Sequence, residues 1–385
     1  MQYDFETPID RSSTASLKWD KYQNSDVLPF WVADMDFRSA PEITDALAER
    51  ANHGVYGYTV PPEEVKQSVV NYLARDHGYE IDPAWILWTP GVVPALNLFC
   101  RAFGEKGSSV MTVTPVYPPF LTAPANSGRN LISVELIWDG ARWTFDFEKM
   151  ESSITPETKS FILCNPHNPV GRVFDKEELG QLADFCIRHD LILCTDEIHS
   201  DLIIEPGIKH TPTNLISPEI SKRSIMLTAP SKTYNLPGLC CAFAIIEDAQ
   251  IRSAFRRVAR GIITEINAFG YTGCQAAYDH GGQWRLELID YLKSNRDYLY
   301  EFVQQELPQI KMRPMEATYL AWMDVSELGL DNPTAHFESH GVGLSEGSFF
   351  GAPDHVRFNF GCAKSFMIEG LQRMKQAVDA IPTSQ

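Results

Sequence analysis

No uninterrupted apolar run in the 385 residues approaches the ~20 that span a bilayer. No Lys/Arg run stands out either, and 33 basic against 50 acidic side chains leave a formal charge of −17. Such a surface repels nucleic-acid backbones and anionic membranes, so neither is an expected partner. The opening Met1-Gln-Tyr-Asp-Phe-Glu6 lacks a basic region followed by an apolar one. No signal peptide is expected there, and the expected location is cytoplasmic. The eight cysteines form no C-x-x-C, and several sit in apolar stretches such as Phe161–Cys164 and Leu191–Cys194. That usage points to buried free thiols in a reducing compartment. His336 and His340 stand four apart, but His-Phe-Glu-Ser-His is not an H-E-x-x-H pattern, so no metal site is expected. Internal repeats, low-complexity tracts and flexible linkers are absent as well.

What is present is an ordinary globular composition, 44% hydrophobic and 22% charged. The length exceeds the roughly 250–300 residues at which single cores stop growing, which implies two domains. In the middle of the chain, short apolar strands alternate with amphipathic helices. Strands are predicted at Ser109–Val113, Ser160–Cys164, Leu191–Thr195, Ser224–Thr228 and Ala242–Ile246. A helix from Lys176 to His189 lies between the second and third. Asp175 caps it, Glu178 completes a capping box, and Leu179, Leu182, Phe185 and Cys186 form one apolar face. Strand–helix–strand in this order predicts an α/β fold with a mostly parallel central sheet flanked by helices. Residues 1–40 are rich in Pro, Asp and aromatics. Toward the other end, a long helix (Leu286 to about Leu307), a strand (Thr318–Val325) and a closing helix (Lys364–Ile381) are expected. The expected division is therefore a large domain at 46–284, with a smaller α+β domain built from residues 1–45 and 285–385.

Three polar signals follow predicted strand ends, where ligands collect in open α/β sheets. Asn165-Pro-His-Asn-Pro-Val-Gly171 is stiffened by two prolines and either aims Asn168 into the crevice or is only a tight turn. Asp196, in Thr195-Asp-Glu-Ile-His199, ends a run that should be buried, so its carboxylate wants a cation. A protonated ring nitrogen of a cofactor would serve, and so would a structural Arg. Lys232, in Ala229-Pro-Ser-Lys232, follows the next strand. A desolvated lysine there is a nucleophile able to form a Schiff base. Asn, Asp and Lys on three consecutive strand ends carry more weight together than any one alone.

Thr89-Pro-Gly-Val-Val-Pro-Ala95 opens a helix whose free N–H groups and positive dipole end suit a phosphate. Tyr117, held between prolines after Ser109–Val113, either stacks on a planar ring or packs in the core. Arg357, inside the apolar Val356–Phe360, is either a carboxylate clamp for an amino acid or half of a structural ion pair.

The set N-P-H-N-P-V-G, D-E-I-H and S-K-T-Y-N resembles the fold-type I pyridoxal-5′-phosphate (PLP) enzymes, the aspartate aminotransferase superfamily. Trp31-Val-Ala-Asp-Met-Asp-Phe37, Gly54-Val-Tyr-Gly-Tyr-Thr59, Pro115-Val-Tyr-Pro-Pro-Phe120 and Thr318-Tyr-Leu-Ala-Trp322 narrow it to the MalY/PatB group of cystathionine β-lyases and cysteine-S-conjugate lyases. The similarity runs from about Arg11 to Ser365. It implies that Lys232 holds PLP as an imine and later moves the substrate's α-proton, with Tyr58 and Tyr117 completing the catalytic set. Asp196 would pair with the ring nitrogen, Asn168 would bond the phenolic oxygen from a loop with a cis peptide before Pro169, and Tyr117 would stack on the ring. Gly91, Val92, Val93 and Ser231 would bind the phosphate, joined by Tyr58 from the second subunit of a homodimer. Arg357, with Asn168 and Ala33, would hold the amino acid substrate. Two positions depart from the superfamily: His199 replaces a common Tyr, and Cys240 replaces a common phosphate-binding Arg. The implied reaction is α,β-elimination on L-cystathionine or related S-substituted cysteines, giving a thiol, pyruvate and ammonia. An aminotransferase on the same scaffold is the alternative, and a regulatory protein retaining the fold is the second.

Overall fold

A computed structural model of the chain describes residues 2–382. Its centre is a seven-stranded sheet in the spatial order Ile86–Thr89, Ala242–Ile245, Ser224–Thr228, Ile192–Asp196, Thr158–Cys164, Ser109–Thr114, Asn130–Glu135. Neighbours pair in parallel from Ser224–Thr228 across to Asn130–Glu135, while Ala242–Ile245 runs antiparallel to both of its neighbours.

Helices cover both faces, which is why the central strands read as continuous apolar runs rather than alternating ones. On one side, Leu96 and Phe99 of the Val92–Ala102 helix pack on Val110, Ile162 and Ile225. On the other, Leu179, Leu182 and Phe185 of the Lys176–Arg188 helix pack on Phe161, Leu163 and Leu193. That helix has the capping box expected of it, with Asp175 accepting from the N–H groups of Glu177 and Glu178.

All five strands predicted for the middle of the chain are present, within a residue or two at their ends, and the one expected at Thr318–Val325 is Leu320–Asp324. Two further strands escape a reading based on apolar runs. Asn130–Glu135 is a largely exposed edge strand, and Ile86–Thr89 is only four residues long. The long helix begins at Gly282, earlier than expected. Gly281, just before it, serves a close approach: a Cβ there would lie 2.5 Å from Cε1 of Tyr234 and 2.6 Å from the Ala277 oxygen.

A second, antiparallel sheet is built in the order Lys311–Met312, Leu320–Asp324, His355–Asn359, Ser345–Glu346. The N-terminal region joins it through Leu28–Pro29, which pairs in parallel with Val342–Gly343. This pairing supports the proposed smaller domain made from both ends of the chain. The N-terminal arm is pinned by charge as well. Lys18, fully buried, sets its Nζ 2.6 Å from Oδ2 of Asp36, and Arg11 places Nη1 2.6 Å from Oδ1 of the same carboxylate. The indole N–H of Trp19 donates to that Oδ1 at 2.9 Å.

Asp36→Ala would strand the Lys18 ammonium without its carboxylate, and breaking a buried pair from one side costs about 3–5 kcal/mol. Chemical denaturation should register a loss of that size. A change below about 1 kcal/mol would mean that Lys18 reaches another partner.

Candidate active site

The strand register sets the site. Cys164 lies opposite Asp196, and Asp196 opposite Leu227, so the loops that follow these three strands emerge side by side. Asn168 comes from the first loop, Asp196 and His199 from the second, Ser231 and Lys232 from the third. The Asn168–Pro169 peptide is cis, as expected, and so are Asn165–Pro166 and Thr114–Pro115. The Asn168 carbonyl accepts the Tyr117 N–H at 3.1 Å, which ties the loop to the aromatic before the Pro118–Asn126 helix.

These loops enclose a cavity of about 170 Å³. Ala33, Gly91, Val92, Val93, Tyr117, Asn168, Asp196, His199, Ser231 and Lys232 all line it, so ten of the twelve residues singled out from the sequence meet here. Arg357 lines an adjoining cavity of about 610 Å³ that shares Ala33, Tyr117 and Lys232 with the first. Tyr58 is not brought in: it is fully exposed on the Gly54–Val60 segment, beside exposed Val55, Tyr56 and Val60.

Asp196 is buried, and its Oδ1 accepts the Ile198 N–H at 3.1 Å. Among the described residues it has no ion-pair partner, so the structural-Arg reading falls. Burial pushes its pKa up to about 7, against the charge of Lys232. Lys232 is mostly buried, and its Nζ donates to the Ala33 carbonyl at 2.7 Å. Burial, and then the charge of Arg357, bring this amine down to about 8. A lysine so placed is largely free of the usual barrier to acting as a nucleophile near neutral pH. His199 is pushed down to about 3 by burial and the two nearby cations, so its imidazole is neutral. Its Nδ1 is buried without a hydrogen-bond partner among the described residues.

Arg357 is also buried and, among the described residues, meets no carboxylate within ion-pair distance. Nη1 donates to Oδ1 of Asn168 at 3.0 Å, and Nη2 to the Trp31 carbonyl at 2.9 Å and Ser345 Oγ at 3.2 Å. Its guanidinium sits 4.7 Å over the Phe350 ring. This geometry removes the ion-pair reading and leaves a desolvated fork with neutral partners. Gly91, Val92 and Val93 open the Val92–Ala102 helix, whose start no side chain caps. Its first-turn N–H groups have no intrahelical acceptors and add a positive dipole end.

The residues fit PLP on their own chemistry. Among the described residues, a buried carboxylate lacks a cation, an activated amine lines the same cavity, and a helix start without a side-chain cap suits an anion. Sequence reasoning missed four supports: Asn235, Tyr319, Ser345 and Asn359. Asn235 accepts the Met35 N–H at 3.0 Å and donates to the Met35 and Phe37 carbonyls at 2.9 and 2.8 Å, fastening residues 31–37 over the lysine loop. A polar residue within the apolar Val356–Phe360 run was the available signal for Asn359.

Residues 25–374 match the profile of the aminotransferase class I and II family. The cystathionine β-lyase PatB of Bacillus subtilis (strain 168) is 38% identical over 385 residues, covering 97% of this chain and 99% of that protein. The crystal structure of OvoB superposes with a TM-score of 0.96 at 41% identity, over 98% of this chain and 100% of that one. Cystalysin from Treponema denticola, whose structure contains a pyridoxal 5′-phosphate cofactor, gives 0.94 at 35% identity, over 99% and 100%. The chain therefore belongs to the aminotransferase class I and II family, in the group that includes the PatB cystathionine β-lyase.

Proposed function

We propose that this protein is a PLP-dependent carbon–sulfur β-lyase. Its reaction is α,β-elimination on L-cystathionine or a related S-substituted L-cysteine, yielding a thiol, pyruvate and ammonia. One observation carries the reading: Asp196 and Arg357, buried, and Lys232, mostly buried, meet at one crevice with no ion-pair partners among the described residues. The likeness to a cystathionine β-lyase along nearly the whole chain favours elimination over amino transfer.

In this proposal, Lys232 holds the cofactor and Asp196 keeps the ring nitrogen protonated. Asn168 bonds the phenolic oxygen and Tyr117 covers the ring. Val92 and Val93 N–H groups after Gly91, together with Ser231, receive the phosphate. His199 contributes a neutral, buried imidazole to the same wall. The bound cofactor supplies an electron sink for the pair left at the α-carbon. Arg357 takes the substrate carboxylate in a bidentate grip, beside Asn168 and Ala33, and the freed Lys232 amine removes the α-proton. Tyr58 serves the site of a second copy of the chain, and the exposed Val55, Tyr56 and Val60 around it supply apolar contact for a homodimer. A cytoplasmic location is part of the proposal. All eight cysteines are free, seven of them buried, and no helix among the described residues is long and apolar enough to cross a membrane.

The purified protein loaded with PLP should release pyruvate from L-cystathionine with no 2-oxo acid present, and Lys232→Ala should abolish both pyruvate and the imine absorbance band. Amino transfer that requires a 2-oxo acid would overturn the lyase reading; a band retained in Lys232→Ala would overturn the lysine assignment. Arg357→Ala should lower kcat/KM by about 30-fold or more, mainly through KM, because a charge-assisted bidentate pair is lost. Unchanged substrate dependence would place the carboxylate elsewhere. Capture of PLP by the cofactor-free protein should accelerate about tenfold per pH unit up to about 8 and level off above it, since only the neutral amine attacks. A rate still rising steeply at pH 10 would mean that burial does not lower this lysine.

A further inference from the structure

Residues 31–37 cross the site as a strap whose backbone carbonyls are taken up in turn by functional side chains. The Trp31 carbonyl accepts from Arg357, and the Ala33 carbonyl from Lys232. The Ala33 oxygen has a second donor, the hydroxyl of Tyr319 at 2.9 Å. The peptide units before and after the one that carries the Ala33 carbonyl are held by one side chain: Nδ2 of Asn359 donates to the carbonyls of Val32 and Asp34, the latter at 2.7 Å. Asn359 itself is fixed through Oδ1, which accepts the Gly361 N–H at 2.8 Å.

Tyr319 and Asn359 reach the strap from neighbouring strands. Leu320 pairs with Asn359, and the Phe360 N–H donates to the Tyr319 carbonyl at 2.9 Å. Arg357 and Asn359 stand two apart on one strand and so share a face. Thr318, fully buried, holds a φ of 74°, a conformation β-branched residues avoid unless the surroundings enforce it. It directly precedes Tyr319. Gly361 completes the fit, since a Cβ there would lie 2.7 Å from Met35 Cγ and 3.2 Å from both Asn359 Oδ1 and the Tyr319 ring.

We propose that Tyr319 and Asn359 are positioning residues for Lys232, acting through the Ala33 carbonyl, which seats the lysine amine whenever it is free. The inference rests on the reading that Lys232 carries the cofactor. A lysine tied to the cofactor has no need of this seat. A released one does, because it must stay within reach of the substrate's α-proton rather than swing into the adjoining cavity. The strap thus fixes the amine and the substrate clamp from a single stretch of backbone.

The test compares Tyr319→Phe, Asn359→Ala and Ser345→Ala with the parent protein. Tyr319→Phe removes one hydroxyl and keeps the packing ring, so it decides the matter even if Asn359→Ala fails to fold. Two quantities are read. The first is the rate of PLP capture by the cofactor-free protein at pH 9, above the titration of the amine, where placement alone is measured. The second is the division of any loss between kcat and KM for L-cystathionine. Tyr319→Phe should capture PLP about tenfold more slowly and lose about tenfold in kcat with KM within twofold, as expected when a reacting group is no longer held in place. Asn359→Ala, where it folds, should show the same pattern more strongly. Ser345→Ala should instead raise KM, because it removes one partner of Arg357 and one donor to the Trp31 carbonyl and leaves both donors to the Ala33 carbonyl in place. Parental capture and kcat in Tyr319→Phe, or a loss confined to KM, would overturn the proposal. The underlying lysine assignment fails separately, by an imine band that survives Lys232→Ala.

Discussion

Desolvation without neutralisation is the constraint on which this molecule turns. A mostly buried amine meets a buried carboxylate and a buried guanidinium at one crevice, and none forms an ion pair with another residue among those described. Burying an unpaired ion costs several kcal/mol, and side chains normally relax until they find a partner. Here Asp196 ends a strand and Lys232 follows one in the ladder that sets Cys164, Asp196 and Leu227 in line, while the second sheet holds Arg357 by pairing it with Trp322 and Ser345. The pKa directions record the tension, Asp196 raised to about 7 and Lys232 lowered to about 8. A ligand that brings a ring cation to one and an aldehyde to the other relieves both at once. Such a ligand stabilises the native chain by its own binding energy, so the site and the fold share one free energy.

The phosphate end is the weak side of this arrangement. Where the superfamily resemblance led to an expected phosphate-binding arginine, this chain has Cys240, exposed and in left-handed backbone geometry. The proposed phosphate contacts are then the start of the Val92–Ala102 helix, worth roughly half a positive charge, and the Ser231 hydroxyl. A hydroxyl from Tyr58 of a second copy would complete a set that one chain supplies only in part. In the proposed homodimer, the full exposure of Tyr58 and its three exposed apolar neighbours would be covered by the second copy.

Much of this was legible in the sequence, for identifiable physical reasons. Apolar runs bounded by polar turns gave five strands because a two-sided cover of helices makes such strands uniformly apolar. Asn168, Asp196 and Lys232 stood out because each is polar at the end of such a run, where burial demands a purpose. The edge strand Asn130–Glu135 was not legible, since one uncovered side removes the signal. The start of the long helix was not legible either, because its first turn opens on glycine, and at Gly281 the missing Cβ admits the Tyr234 ring. For Asp196 and Arg357, sequence left two readings each. Only the folded structure shows that, among the described residues, neither has the structural ion partner that would make it mundane.

The strap at residues 31–37 was the hardest part to read, and the reason is instructive. Its two aspartates look like candidates for chemistry, but their side chains point into structural work: Asp34 pairs with Arg11, and Asp36 with Arg11 and Lys18. The functional surface of the strap is its backbone, whose carbonyls meet Arg357, Asn359, Lys232 and Asn235. Side-chain patterns carry no trace of a carbonyl's direction. Yet that direction depends on the aspartates, because a backbone free to twist could not aim successive oxygens at fixed partners. The charges therefore serve the site at one remove. The ion pairs hold the peptide planes, the planes orient the lysine and the arginine, and the desolvated pair of cations keeps the spacing its chemistry requires.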